Sequence, residues 1–211
     1  TDWSCQRGER CTLIFSKINT SWGSFYYDET QDALRVVVKN QSLDKSVEWL
    51  KYEFTDQTEN SVMIVMSWEK RAIPFKVEAE TKKLQFEAFK NDFRTTRPYY
   101  DFISAIYWCV RNNYELEQAL AWADRAIYFR VMGEKNFRSL SAKAAVLTKM
   151  NRMEEANKVI EEALPLGNML DLHFYARSLQ TQQQHKEAFR IFKINYDRNP
   201  KEFTTNLGMG R

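Results

Sequence analysis

Glycine and proline are scarce in this 211-residue chain, at 6 and 4, which excludes a loop-dominated or disordered polypeptide. Histidine is rarer still, with His173 and His185 alone. There are three cysteines, Cys5, Cys11 and Cys109. An odd count in a chain of this length is not a disulfide framework. Cys5 and Cys11 can pair only if the segment between them loops back, and Cys109, inside an apolar run, reads as a buried thiol. An excess of one charge sign is also missing. Lys plus Arg number 31 and Asp plus Glu 28, leaving a formal charge of +3. The balance holds on either side of Pro98, so neither part carries the concentrated positive field of a nucleic-acid binder. No run of 18 apolar residues occurs, so no membrane span is expected. The chain begins at Thr1 without a signal-like apolar stretch.

What is present is a core-forming composition, 44% hydrophobic and 14% aromatic, whose periodicity changes near residue 80. Before that point apolar residues alternate. Leu34, Val36 and Val38 alternate along Asp32–Asn40. Leu50, Tyr52 and Phe54 share one face of Val47–Thr55 while Lys51 and Glu53 take the other. Val62, Ile64, Met66 and Trp68 line one side of Ser61–Glu69, and Ile73, Phe75, Val77 and Ala79 do the same in Ile73–Ala79. Strand side chains point alternately to opposite faces, so each run presents one face to a core. With Leu13–Ile18 and Trp22–Tyr27 this gives about six strands in an antiparallel sheet or sandwich-like unit.

From about Thr81 the spacing becomes three to four residues. Leu84, Phe86, Phe89 and Phe93 form a connecting helix, which Arg97-Pro98 ends. Beyond it, polar breaks near residues 111–113, 131–135, 150–152, 164–168, 182–184 and 199–200 separate six helices, with a seventh starting near Phe203. The helices repeat in pairs. Leu140, Ala144 and Leu147 recur 32 residues later as Leu172, Ala176 and Leu179. Segments at Leu116–Ala126, Met153–Ala163 and His185–Asn195 each set an alanine (Ala119, Ala156, Ala188) after an acidic or amide residue. Small residues at such positions let helices approach closely, and stacked hairpins bury stripes that one hairpin cannot. The expected architecture is α+β: a β domain at 1–80, a connecting helix at 81–98, and a helical-hairpin array at 99–211.

Residues with catalytic chemistry do not converge in the sequence. Neither histidine has a cysteine or carboxylate at a metal-ligand spacing. Asp28, Glu29 and Asp32 form an acidic turn without the ligand spacing or loop glycine of an EF-hand. Neither a nucleophile-elbow sequence nor a phosphate-cradling glycine loop is found. The expectation is a non-catalytic protein without cofactor or metal. The aromatics Trp22, Phe25, Tyr26, Tyr27, Trp49 and Trp68 could stack a glycan or other small ligand, although strand aromatics more often serve packing.

Two resemblances follow from these residues. Ala144, Ala156 and Ala163 in one unit, and Ala176, Ala188 and Pro200 in the next, resemble tetratricopeptide repeats over about residues 99–211. The first unit is stretched near Tyr114 and Asn195 stands where alanine is usual. The strings Trp22-Gly23-Ser24-Phe25-Tyr26-Tyr27-Asp28, Asp32-Ala33-Leu34-Arg35-Val36, Glu48-Trp49-Leu50-Lys51-Tyr52-Glu53-Phe54-Thr55 and Trp68-Glu69-Lys70 resemble the later half of the bacterial domain of unknown function 2911. That family often joins its β domain to tetratricopeptide repeats and is typically exported, which implies a periplasmic or otherwise exported location. It supplies no catalytic residue. An earlier block of strands usually precedes this part. Without it a sheet edge would be open to pairing with another copy.

The repeat resemblance implies a concave surface lined by the first helix of each pair. Its positions are Arg138, Ser141, Ala145, Thr148 and Lys149 in one unit, and Leu170, His173, Arg177, Gln180 and Thr181 in the next. The surface is mixed, with Arg138, Lys149 and Arg177 supplying positive charge, and arginine's bidentate grip on carboxylates makes an acidic or C-terminal peptide an expected kind of protein partner. Ala145 replaces the polar residue of the version that clamps a peptide carboxylate, so that clamp is not expected.

Overall fold

The computed structural model describes residues 2–4, 10–20, 25–94 and 98–209, the side chains of 2–4 excepted. The chain divides into two units, Thr1–Leu84 and Gln85–Arg211.

The first unit holds two antiparallel sheets. β1 (Asp2–Ser4), β2 (Arg10–Ser16) and β3 (Asp32–Lys39) form one in that order, and β4 (Gln41–Thr55) and β5 (Ser61–Glu78) form the other. Leu13 lies opposite Val36 and Cys11 opposite Val38, so these apolar side chains share a face. They meet Met66 and Ile73 of β5 in a small core, with Phe15 and Phe75 edge-on at 6.1 Å. The runs Ser61–Glu69 and Ile73–Ala79 are one strand rather than two. Polar Lys70 and Arg71 interrupt the alternation in the sequence, yet the backbone of β5 continues through them with Glu69 at φ 51°, while β4 carries extra residues opposite, between Ser42 and Lys51. The expected strand Trp22–Tyr27 is not found where it can be described, since Phe25 and Tyr26 form a turn and residues 21–24 lie outside the described residues. The loop before β3 is held by a polar latch. The Tyr27 hydroxyl donates to Asp32 at 2.8 Å, and the Arg35 guanidinium donates to both.

The second unit is helical. α1 (Thr81–Asp92) runs across the division between the units. Six helices follow it: α2 (Tyr99–Asn112), α3 (Leu116–Tyr128), α4 (Phe137–Lys149), α5 (Met153–Ala163), α6 (Met169–Thr181) and α7 (His185–Arg198). A short α8 (Phe203–Met209) comes last. The helices fall close to where the sequence breaks place them.

Three helix pairs, α2–α3, α4–α5 and α6–α7, are joined by the same turn. A left-handed residue follows each first helix: Asn113, Asn151 and Gln183. The next residue's N–H then reaches back to the carbonyl of Cys109, Leu147 or Leu179 at 2.9–3.0 Å. The left-handed residue's own N–H bonds three residues back, to Val110, Thr148 or Gln180. This is the Schellman pattern, which satisfies the last carbonyls of a helix. Glu115, a second left-handed residue, lengthens the first of these turns. The starts of α4 and α6 also match. Asn136 with Ser139, and Asn168 with Asp171, form reciprocal capping boxes.

Packing follows from small residues at the helix contacts. Ala105, Ala119, Ala123, Ala126, Ala142, Ala163 and Ala176 have no exposed surface. α4 has two buried faces. Ala142 and Val146 join a core with α1, α2 and α3, built around Phe102, Ile106 and Trp122. Leu140 and Ala144 join a second core with α5, α6 and α7, built around Leu172, Ile191 and Phe192. Where alanine gives way to Asn195, the amide is fully buried and donates to the Met169 carbonyl at 2.9 Å. Arg190 of α7 ties Glu161 of α5 at 2.6 Å.

Glutamine is poorly suited to the left-handed conformation at position 183, because its Cβ crowds the backbone there. Gln183→Gly should therefore stabilise the protein by about 0.5–1 kcal/mol. Urea denaturation measures this, and a loss of stability would contradict the assigned turn.

Candidate functional site

The expected surface positions separate by burial. Arg138 begins α4 with its side chain 70% exposed, 3.5 Å from Asp171 of α6. Lys149 and Arg177 are exposed, and Gln180 is half-buried. Ser141 is buried, and its hydroxyl is satisfied by donating to the Arg138 carbonyl at 3.1 Å. His173 is also buried, edge-on to the rings of Phe174 and Phe192, each at 5.7 Å between centroids. Those two side chains are packing groups of α4 and α6 rather than surface contacts.

α6 presents a continuous exposed stripe. Leu170, Phe174, Arg177 and Thr181 follow at spacings of four, three and four residues, and all four are exposed. Leu170 is 49% and Phe174 65% exposed. Phe174 is absent from the positions expected from sequence. Its signal is the four-residue step from Leu170, which places both on one helix face. Two large apolar side chains therefore sit beside the guanidinium of Arg177 on α6. Arg138 reaches that helix through Asp171.

His185 is exposed at the first position of α7. Among the described residues no group of three or more His, Cys, Asp or Glu side chains could hold a metal ion. The acidic turn is occupied by its own backbone and neighbours. Asp28 accepts from the Thr30 backbone N–H at 2.9 Å, and this bond holds its carboxyl below the ordinary range. Asp32 is desolvated, which alone would raise it, but the bonds from Arg35 and Tyr27 win and its carboxyl is lowered.

In the β unit the aromatic set is exposed where it can be described. Phe25 is 77%, Tyr26 95%, Trp49 81% and Trp68 57% exposed, and Trp22 lies outside the described residues. A groove of about 840 Å³ runs between β3 and the end of β5. Its walls are Leu34, Val36, Val38, Phe75 and Val77, with the Lys76–Glu78 ion pair at the rim. The rest of the lining is Phe15 and Pro74 with the polar side chains of Lys39, Asn40 and Gln41.

Cys11 is buried and disulfide-bonded, and Cys5 lies outside the described residues. Cys109 is a fully buried free thiol. Burial, with a smaller contribution from Glu115, pushes it up to about 11. A thiolate is the reactive form, so at neutral pH Cys109 should label with a disulfide reagent only after denaturation. Stoichiometric labelling of the native protein would contradict its placement in the α2 core.

Residues 3–77 match the family described as Protein of unknown function (DUF2911), a span that includes most of the β unit and none of α1 to α8. No curated protein and no solved structure matches the chain. No helix among the described residues is long and apolar enough to cross a membrane.

Proposed function

We propose that the chain is a non-catalytic interaction scaffold whose helical pairs are tetratricopeptide-like and whose α4–α6 surface receives a protein or peptide. The observation that carries this reading is the double burial of α4 between two cores. Hairpins stacked in this way leave the first helix of each pair with one free face. On α6 that face is the Leu170–Phe174–Arg177 stripe, and on α4 it begins at Arg138. Apolar anchors beside guanidinium groups suit a partner with an apolar residue flanked by carboxylates. The three matching turns and two matching capping boxes support the tetratricopeptide reading. The disulfide at Cys11 supports export, because such bonds persist in oxidising compartments.

The alternative is a glycan- or small-ligand-binding module on the aromatic β face. Exposure of Trp49 and Trp68 favours it. Neither ring lines the groove of the β unit, and ligand sites are concave, so the helical surface is the preferred site.

Arg138→Glu combined with Arg177→Glu should abolish partner capture from a native lysate while leaving the circular-dichroism melt unchanged. Capture that survives both reversals removes this surface from consideration.

A further inference from the structure

The first helices of the three pairs can be compared position by position, because each ends on the same turn. Arg111 of α2 and Lys149 of α4 each stand two residues before the left-handed residue, Asn113 or Asn151. Tyr107 of α2 and Arg177 of α6 each stand six before it, and Tyr100 of α2 and Arg138 of α4 thirteen before it. All six are exposed. Ala105 of α2 and Ala142 of α4 lie in one core without exposed surface, and the Tyr107 hydroxyl meets the Ser141 side chain of α4. The free faces of α2 and α4 are therefore one surface. Its charge has one sign. Residues 102–112, the whole of α4 and residues 172–181 contain no acid, whereas α5 carries Glu154, Glu155, Glu161 and Glu162. Among the described residues Arg111, Lys149 and Arg177 make no ion pair.

We propose that this surface takes an acidic, proline-rich segment of a protein partner, bound in the polyproline II conformation and crossing from α6 over α4 to α2. The inference rests on the partner-binding reading above and extends it to α2. Helices packed through alanine lie roughly 8–10 Å apart. A polyproline II helix has three residues per turn and rises about 3.1 Å per residue, so residues i and i+3 share a face about 9 Å apart. Carboxylates at that interval match Arg111 and Lys149, which hold the same place on neighbouring helices. A β-strand does not match, because its residues i and i+3 point to opposite faces. Proline-rich segments dock on aromatic-lined grooves. Tyr100 and Tyr107 supply exposed rings on α2, and Phe174 supplies one on α6. A polyproline II segment is extended before it binds, so little ordering entropy is lost on this open surface.

The test is fluorescence polarisation of the whole chain against three labelled twelve-residue peptides. One is four Glu-Pro-Pro repeats and one is four Lys-Pro-Pro repeats. The third has the composition of the first with its glutamates adjacent. The Glu-Pro-Pro peptide should bind at least about tenfold tighter than either control. Arg111→Glu combined with Lys149→Glu should remove that preference. A cation in a last turn also complements the helix dipole, so the readout is binding, with a circular-dichroism melt of each variant alongside. Tyr100→Ala removes an exposed ring far from those last turns and should weaken the same peptide at least about threefold. Binding lost in the Arg138→Glu, Arg177→Glu protein but kept in the Arg111→Glu, Lys149→Glu protein overturns the extension to α2 and leaves the α4–α6 surface standing. Binding kept in both overturns the two readings together. Equal binding of spaced and adjacent glutamates, displacement by a single-stranded oligonucleotide at lower concentration than by unlabelled peptide, or no binding of the Glu-Pro-Pro peptide at millimolar concentration also overturns the inference.

Discussion

The helical unit depends on one constraint: α4 must bury two opposite faces at once. Leu140, Ala144 and Leu147 repeat at four and three residues along one side, and Ala142 and Val146 occupy the other. One helix can serve two cores only if the residues at the closest approaches are small, and Ala142 and Ala144 are. Without that sharing, each hairpin would expose an apolar stripe to water at roughly 25 cal/mol per Å². With it, burial in one pair supports the next, and the first helices keep a free face.

Much of this was readable in the chain. The three-to-four spacing and its polar breaks place α2 to α7, because amphipathic helices write their period directly into the sequence. The recurring alanines mark the contacts for the same reason. The left-handed residues were not readable. Asn113 and Asn151 are ordinary choices for that conformation, but Gln183 is not, and only the register of its neighbours forces it there. Burial of Ser141 and His173 was also hidden. The repeat resemblance places both on the concave face, but a serine hydroxyl can satisfy itself on its own helix and an imidazole can lie among rings, so both can be buried.

The β unit was legible in its alternation and less so in its connections. Lys70 and Arg71 look like a turn, yet β5 runs on through them and the bulge lies opposite, in β4. Both neighbouring side chains of the bulge, Trp49 and Trp68, are large and exposed. Of the surface positions expected from the repeat resemblance Arg138 and Arg177 are exposed, and exposed Phe174 was not among them because an aromatic ring on a helix reads as core. The two units therefore offer different surfaces. On α6 exposed Leu170 and Phe174 share a face with Arg177, whereas on β4 and β5 exposed rings such as Trp49 and Trp68 stand among charges of both signs.

The central claim, that α4 couples the hairpins on either side of it, is tested most directly by native-state hydrogen exchange on Val146→Ala and Leu140→Ala. Val146 faces the core of α2 and α3, and Leu140 faces the core of α5 to α7. Coupling through α4 predicts that each substitution lowers protection across α4 and also in the hairpin on the far side. Loss of protection confined to the hairpin that the substituted residue touches would contradict the account.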